Sequence, residues 1–173
     1  MKYFHYNLPD FCLDNLNFTA IDLSADVITN TKLKTNAELA KSRGYNKNNA
    51  LIYQTFDLDE SFVDFAKTLF DTFTVSVIKQ LPGSTNPLHL DSFYQFSKIQ
   101  KIDPARCVRL NIFLENWKNG HYFEIMNQPI TKWKRGDTVM IEYEEYHLAG
   151  NMGIENRYTL QITGIRDRLK IQH

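Results

Sequence analysis

The sequence predicts a mainly β domain with supporting helices, closed as a sandwich or a distorted barrel. Three observations predict it. From Thr74 onward, short β-branched and aromatic runs alternate with Gly-, Asn- and Pro-containing turns at near-regular spacing. A chain of 173 residues suits one domain, and 43% apolar with 13% aromatic residues is enough to fill a core of ordinary size. No internal repeat, low-complexity segment or linker divides the sequence.

In order, residues 1–73 read as a helical and irregular scaffold, 74–165 as the β core and 166–173 as a tail, all in a single domain 1–173. A short helix is predicted over residues 36–43, closed by Gly44. The clearest helix covers residues 57–73, because Leu58, Phe62, Phe65, Ala66 and Leu69 recur with helical period. Asp57 or Asp59 caps it, and Glu60 and Asp64 favour the positive end of the helix dipole. Strands are predicted over residues 74–78, 107–114, 121–126, 138–142 and 157–165. Turn-rich sequence separates them at residues 81–87, 119–120, 135–137 and 151–153. Loops at residues 92–104 and 117–120 carry no recognisable code.

Twenty basic and twenty acidic residues cancel to zero formal charge. A protein that grips duplex nucleic acid through phosphates needs a basic excess or stripe, so the balance argues against that partner. It leaves nucleotides, peptides and small molecules open. Cys12 and Cys107 read as free thiols in a reducing compartment rather than as a disulfide framework. The aromatic-polar start lacks the apolar stretch of a signal peptide, and no run is long enough to span a bilayer. A cytoplasmic protein with no membrane partner is the expectation.

The chemistry-bearing residues are His89, Asp91, His147 and Arg157. Side chains two apart on a strand share a face, so His89 and Asp91 can reach one ion together. His147 arrives from elsewhere in the fold. Two imidazoles and one carboxylate suit iron(II) and leave coordination positions for O₂ and a chelating co-substrate. His121 is the rival third ligand; His5 and His173 lie near the ends. Arg157 heads a strand on which Arg157, Thr159 and Gln161 share one face, and Tyr158, Leu160 and Ile162 the other. An inward Arg with a hydroxyl beside it forms a fork for a carboxylate. Arg109 and Asn111 likewise share one face of the strand that buries Leu110, Ile112 and Leu114 on the other. Phe93, Tyr94 and Trp117 are candidates for a substrate mouth.

Taken together, His89-x-Asp91, His147 and Arg157 resemble the iron(II)- and 2-oxoglutarate-dependent oxygenases, over roughly residues 74–165. The resemblance implies a double-stranded β-helix, that is, a jelly roll of cupin-like form. The run Trp133-Lys-Arg-Gly-Asp137, followed by His147, Asn151 and Arg157, is most similar to the aspartyl/asparaginyl β-hydroxylase branch. By that resemblance His89, Asp91 and His147 hold iron(II), and Arg157 with Thr159 binds the outer carboxylate of 2-oxoglutarate. Arg109 and Asn111 would contact its inner end, although Asn111 stands where the branch often has His. A dioxygenase that hydroxylates an unactivated C–H bond of a small molecule or peptidyl side chain follows, with succinate and CO₂ as co-products. Nucleic-acid demethylases of the superfamily carry a second Arg where this chain has Thr163, and prolyl hydroxylases usually use Lys where it has Arg157. Two other readings stay open: a cupin-type metal protein with non-oxygenase chemistry, and a binding module whose His and Asp are structural.

Overall fold

A computed structural model describes residues 2–23, 38, 42 and 44–170. Its elements are β1 (Lys2–His5), β2 (Thr19–Asp22), β3 (Leu51–Thr55), α1 (Glu60–Leu69), β4 (Phe73–Gln80), β5 (Thr85–His89), α2 (Tyr94–Gln100), β6 (Cys107–Phe113), β7 (His121–Ile125), β8 (Gln128–Ile130), β9 (Asp137–Glu142), β10 (His147–Asn151) and β11 (Arg157–Ile165). The strands form a seven-stranded sheet of order β1-β9-β6-β11-β4-β3-β2 and a four-stranded sheet of order β5-β10-β7-β8. Every pairing is antiparallel.

From β4 the chain crosses repeatedly between the two sheets. Strands β4, β6, β9 and β11 lie in the larger sheet, while β5, β7, β8 and β10 lie in the smaller. Eight antiparallel strands shared in this alternation are a jelly roll. The domain is therefore mainly β, a double-stranded β-helix of the cupin-like kind, with two helices among the described residues.

Helix α1 forms where the apolar stripe predicted it, but it is shorter. Asp59 is the N-cap, its carboxylate accepting from the Ser61 N–H, and the helix stops at Leu69 because Phe70 turns to extended backbone. Phe62, Phe65, Ala66 and Leu69 are buried against the outer face of the larger sheet, with Val77, Val108, Leu110, Ile112, Met140, Leu160 and Ile162. Gly164 belongs to this contact: a Cβ there would overlap the Phe70 ring, so only glycine lets the two lie together.

The inner face of the same sheet is different in kind. Register sets Arg157 opposite Gln80, Thr159 opposite Ile78 and Gln161 opposite Ser76 on one side of β11. On the other side Gln161 faces Asn111 and Thr163 faces Arg109. The alternation predicted for β6 and β11 thus holds: Leu110, Ile112, Leu160 and Ile162 turn outward to α1, and the polar set turns inward. A second apolar cluster of Phe113, Phe123, Ile125, Ile130, Trp133, Val139, Ile141 and Ala149 fills part of the interior between the sheets.

Several expectations are corrected. Strands β1, β2 and β3 lie in the stretch read as helical and irregular; β1 and β2 are four-residue edge strands, too short to show a period. Residues 85–89 form β5 although Pro87 lies within it, which an edge strand tolerates because the missing N–H faces no neighbour. The loop expected at residues 92–104 contains α2, whose start has no side-chain cap to announce it. Asn151 ends β10 instead of opening a turn. The helix expected over residues 36–43 falls, but for Glu38 and Ser42, outside the described residues, as does His173. Cys12 is exposed and Cys107 buried, and the two do not pair. No helix among the described residues is long and apolar enough to cross a membrane.

Candidate metal centre and anion pocket

His89 is the last residue of β5 and His147 the first of β10, and the antiparallel register sets them directly opposite. Their ring centroids are 4.1 Å apart. Asp91 follows two residues beyond the strand and brings its Oδ2 to 3.8 Å from His147 Nε2. One ligand atom from each of the three lies within 4.8 Å of the other two.

Backbone carbonyls fix both rings. His89 Nδ1 donates to the Pro87 carbonyl at 2.7 Å, and His147 Nδ1 donates to the Glu145 carbonyl at 3.0 Å. A carbonyl only accepts, so each Nδ1 carries a proton and Nε2 is the ring atom each histidine can offer a metal. Burial, then the neighbouring His147, pushes the His89 imidazole down to about 4, so it is neutral at physiological pH. Burial works against the Asp91 carboxylate, but Arg109, with His147 and His89, outweighs it and holds the group below its ordinary value. Two imidazoles and a carboxylate are a donor set suited to a divalent first-row metal such as iron(II).

Arg109 meets Asp91 directly. Its Nη1 donates to Oδ1 at 2.8 Å and to Oδ2 at 2.7 Å, and its Nε donates to Thr163 Oγ1 at 3.2 Å. The sequence resemblance gives this guanidinium to the co-substrate; its contacts here are with a candidate metal ligand.

Arg157 lies deeper. It is buried, and burial lowers its pKa well below the usual guanidinium value to about 9, which still leaves it a cation at neutral pH. The Phe113, Phe123 and Trp133 rings surround it at 5.5, 5.9 and 5.4 Å. Its Nη1 donates to Gln80 Oε1, but Nε and Nη2 have no partner. No carboxylate pairs with it among the described residues. Thr159 Oγ1 and Asn111 Nδ2 are also buried without partners. Arg157, Thr159, Asn111 and His147 line one small pocket that is partly open to solvent. Orphaned buried donors are uncommon, and two on a buried cation with two more polar atoms beside it in one pocket point to an anionic ligand.

The rival ligand His121 sits elsewhere. On β7 it pairs with Asn151, whereas His147 pairs with Ile125 at the other end of the strand, roughly 13 Å away at strand rise. His121 is stacked beside Trp133, and its Nε2 lies 3.3 Å from the Glu155 carbonyl. Of the mouth candidates, Tyr94 is exposed on α2, and Phe93 is buried with Arg109 over its ring at 5.6 Å. Trp117 packs on the interior cluster and donates its Nε1 to the His121 carbonyl. Sequence reading missed Gln80, the residue that orients Arg157. Extending the period-2 pattern of β4 from Ser76 and Ile78 by one more step would have placed it on the inner face.

No family model matches this sequence, and no curated protein does. The chain is similar to solved structures of cupin and double-stranded β-helix proteins. A predicted oxalate decarboxylase from Thermotoga maritima aligns at TM-score 0.44 and 15% identity, over 67% of this chain and 82% of that one. KdgF from a Halomonas species aligns at 0.43 and 10%, over 66% and 79%. A cupin superfamily protein from Desulfitobacterium hafniense aligns at 0.41 and 16%, over 66% and 77%.

Proposed function

We propose that this protein is an iron(II)- and 2-oxoglutarate-dependent oxygenase, akin to the aspartyl/asparaginyl β-hydroxylase-like branch, that hydroxylates an unactivated C–H bond of a small-molecule or peptidyl substrate. The observation that carries the reading is Arg157: a buried cation with no acid partner among the described residues, two free N–H donors and an unpaired hydroxyl beside it, in the pocket that His147 also lines. A metal site alone gives such a group no work. A dicarboxylate that chelates the metal at one end and needs a cation at the other does.

His89 and His147 would hold the metal through Nε2, and Asp91 through its carboxylate. When bound, iron(II), 2-oxoglutarate and O₂ supply the oxidising chemistry, with succinate and CO₂ as products. The chain's own residues bind and orient. Arg157 takes the outer carboxylate through Nε and Nη2, Gln80 keeps its guanidinium in place, and Thr159 adds a hydroxyl. Asn111 Nδ2 supplies a donor on the neighbouring strand, where the branch more often has His. The Phe113, Phe123 and Trp133 rings keep water from the ion pair and so strengthen it. The reducing compartment expected from the two free thiols suits a ferrous site.

A cupin-type metal protein with other chemistry would use the same triad and leave Arg157 idle. An anaerobic titration with iron(II) and then 2-oxoglutarate separates the readings. The oxygenase gives a saturable visible charge-transfer band that vanishes in His147→Ala and weakens in Arg157→Ala. Bound iron without a band favours other metal chemistry; no bound iron favours a binding module.

A further inference from the structure

We propose that Arg109 is a competitor of the metal for Asp91, so that the ion pair between them sets how tightly the centre holds its ion. The inference rests on the metal-site part of the reading above. Arg109 Nη1 contacts both Asp91 oxygens, at 2.8 and 2.7 Å, so each already gives one lone pair to the guanidinium. The nearer one, Oδ2, is also the oxygen directed at His147 Nε2. A metal taking Oδ2 therefore shares the carboxylate's charge with a guanidinium.

That guanidinium is held in position. Register sets Arg109 opposite Thr163, and its Nε donates to the Thr163 hydroxyl at 3.2 Å. On the other side it stacks over Phe93, an aromatic residue at φ +50°, a conformation that persists only when the surroundings fix it. Both partners are mostly shielded, with 24% of the Arg109 side chain and 11% of Asp91 exposed. Pairing is therefore what makes the charged carboxylate tolerable in the metal-free protein.

The sign of the coupling follows. Remove Arg109 and the metal-free state keeps a shielded carboxylate with no counter-charge, while the metal-bound state keeps one. The metal-free state loses more, so metal binding gains. Repulsion between guanidinium and dication acts in the same direction. By reciprocity, whatever the metal costs the Arg109 pair, Arg109 costs the metal. A partner that merely orients Asp91 predicts the reverse, since losing such an outer contact typically weakens metal binding by about 10–100-fold.

The test is Mn(II) binding to the full chain, read from the free-ion signal in electron paramagnetic resonance, with folding checked by thermal melting. Arg109→Met should bind Mn(II) about tenfold or more tightly than wild type. Arg109→Lys should fall between them, and the Mn(II)-induced rise in melting temperature should follow the same order. If Arg109→Met does not fold without metal, Thr163→Val serves in its place. It frees the Arg109 Nε and should shift affinity upward by a smaller factor. Equal or weaker binding in the variants that fold overturns the inference. Wild type that binds no Mn(II), or binding untouched by His147→Ala, overturns instead the metal site on which the inference stands.

Discussion

Replacing Arg157 with Met separates what the residue does for the ligand from what it does for the fold. Wild-type folding carries this cation into a pocket without a counter-ion among the described residues, and the fall of its pKa to about 9 corresponds to about 5 kcal/mol against the charged form. Three ring faces and one hydrogen bond to Gln80 belong to the same environment and would be lost with the guanidinium. Ring contacts of a desolvated cation are worth about 2 kcal/mol, and an unpaired Gln80 amide costs about 1–3 kcal/mol. The terms nearly cancel. Arg157→Met should therefore leave the metal-free protein within about 1–2 kcal/mol of wild type, against the 2–5 kcal/mol typical of truncating a buried side chain.

Co-substrate binding should respond very differently. Charge-assisted hydrogen bonds contribute about 1.5–3 kcal/mol each, and Nε and Nη2 are two donors waiting for acceptors. Losing both should weaken 2-oxoglutarate binding by about 10²–10⁴-fold while Mn(II) affinity stays near wild type. Urea denaturation of the apo-protein and calorimetric titration of 2-oxoglutarate into the Mn(II) form read the two quantities. A variant destabilised by more than about 4 kcal/mol that still binds 2-oxoglutarate normally would refute the reasoning and make Arg157 a structural residue.

Three further outcomes are expected. His147→Ala should weaken Mn(II) binding by more than the roughly 10–100-fold of an outer-shell change, whereas His121→Ala should leave it intact; the opposite pattern in a metal titration moves the centre. Gly164→Ala should lower unfolding free energy by about 1–3 kcal/mol, because the added methyl meets the Phe70 ring, yet 2-oxoglutarate affinity should hold since that face points away from the pocket. Acid should destabilise the metal-free protein through His89. Its folded pKa of about 4 lies below the unfolded 6.5, so its contribution is fully present above pH 6.5 and is lost as pH falls toward 4. The loss should reach about 2–3 kcal/mol, discounted because the ring keeps some solvent contact, and a melting series of His89→Gln across that window should be flatter than wild type.

How far the sequence could be read depended on where each strand sits. Residues 157–165 were legible to the last residue because β11 is central, with β4 on one side and β6 on the other, so both of its edges are paired along its length. The edge strands were opaque. Pro87 argues against a strand wherever N–H groups are needed, and only position at the sheet edge makes β5 possible. Likewise Gly150 and Asn151 look like a turn, but Asn151 Nδ2 donates to the Gln80 and Glu155 carbonyls and so closes β10 inside the fold. At the site, the spacing and type of His89, Asp91, His147 and Arg157 were visible. The Arg109 pair with Asp91 was not, since it depends on the backbone beyond β5 folding over β6, a tertiary event with no local signature.

Strand β11 also explains how one short element carries stability and a costly site together. Its outer face, Leu160 and Ile162, is packed under Phe62, Phe65 and Leu69, and deleting a side chain of that size from such a core costs about 2–5 kcal/mol. Its inner face carries Arg157 and Thr159, whose unpaired polar atoms oppose folding. Because alternate residues point to opposite sides, the outer contacts fix the backbone on which the strained inner set is presented. Mutations should therefore sort by parity. Outward positions such as Leu160 should change melting temperature and leave ligand affinity alone, while inward positions such as Thr159 should change affinity and leave melting temperature nearly unmoved. A Thr159→Val variant that melted several degrees lower with unchanged 2-oxoglutarate affinity would break that division and return the inner face of β11 to ordinary core.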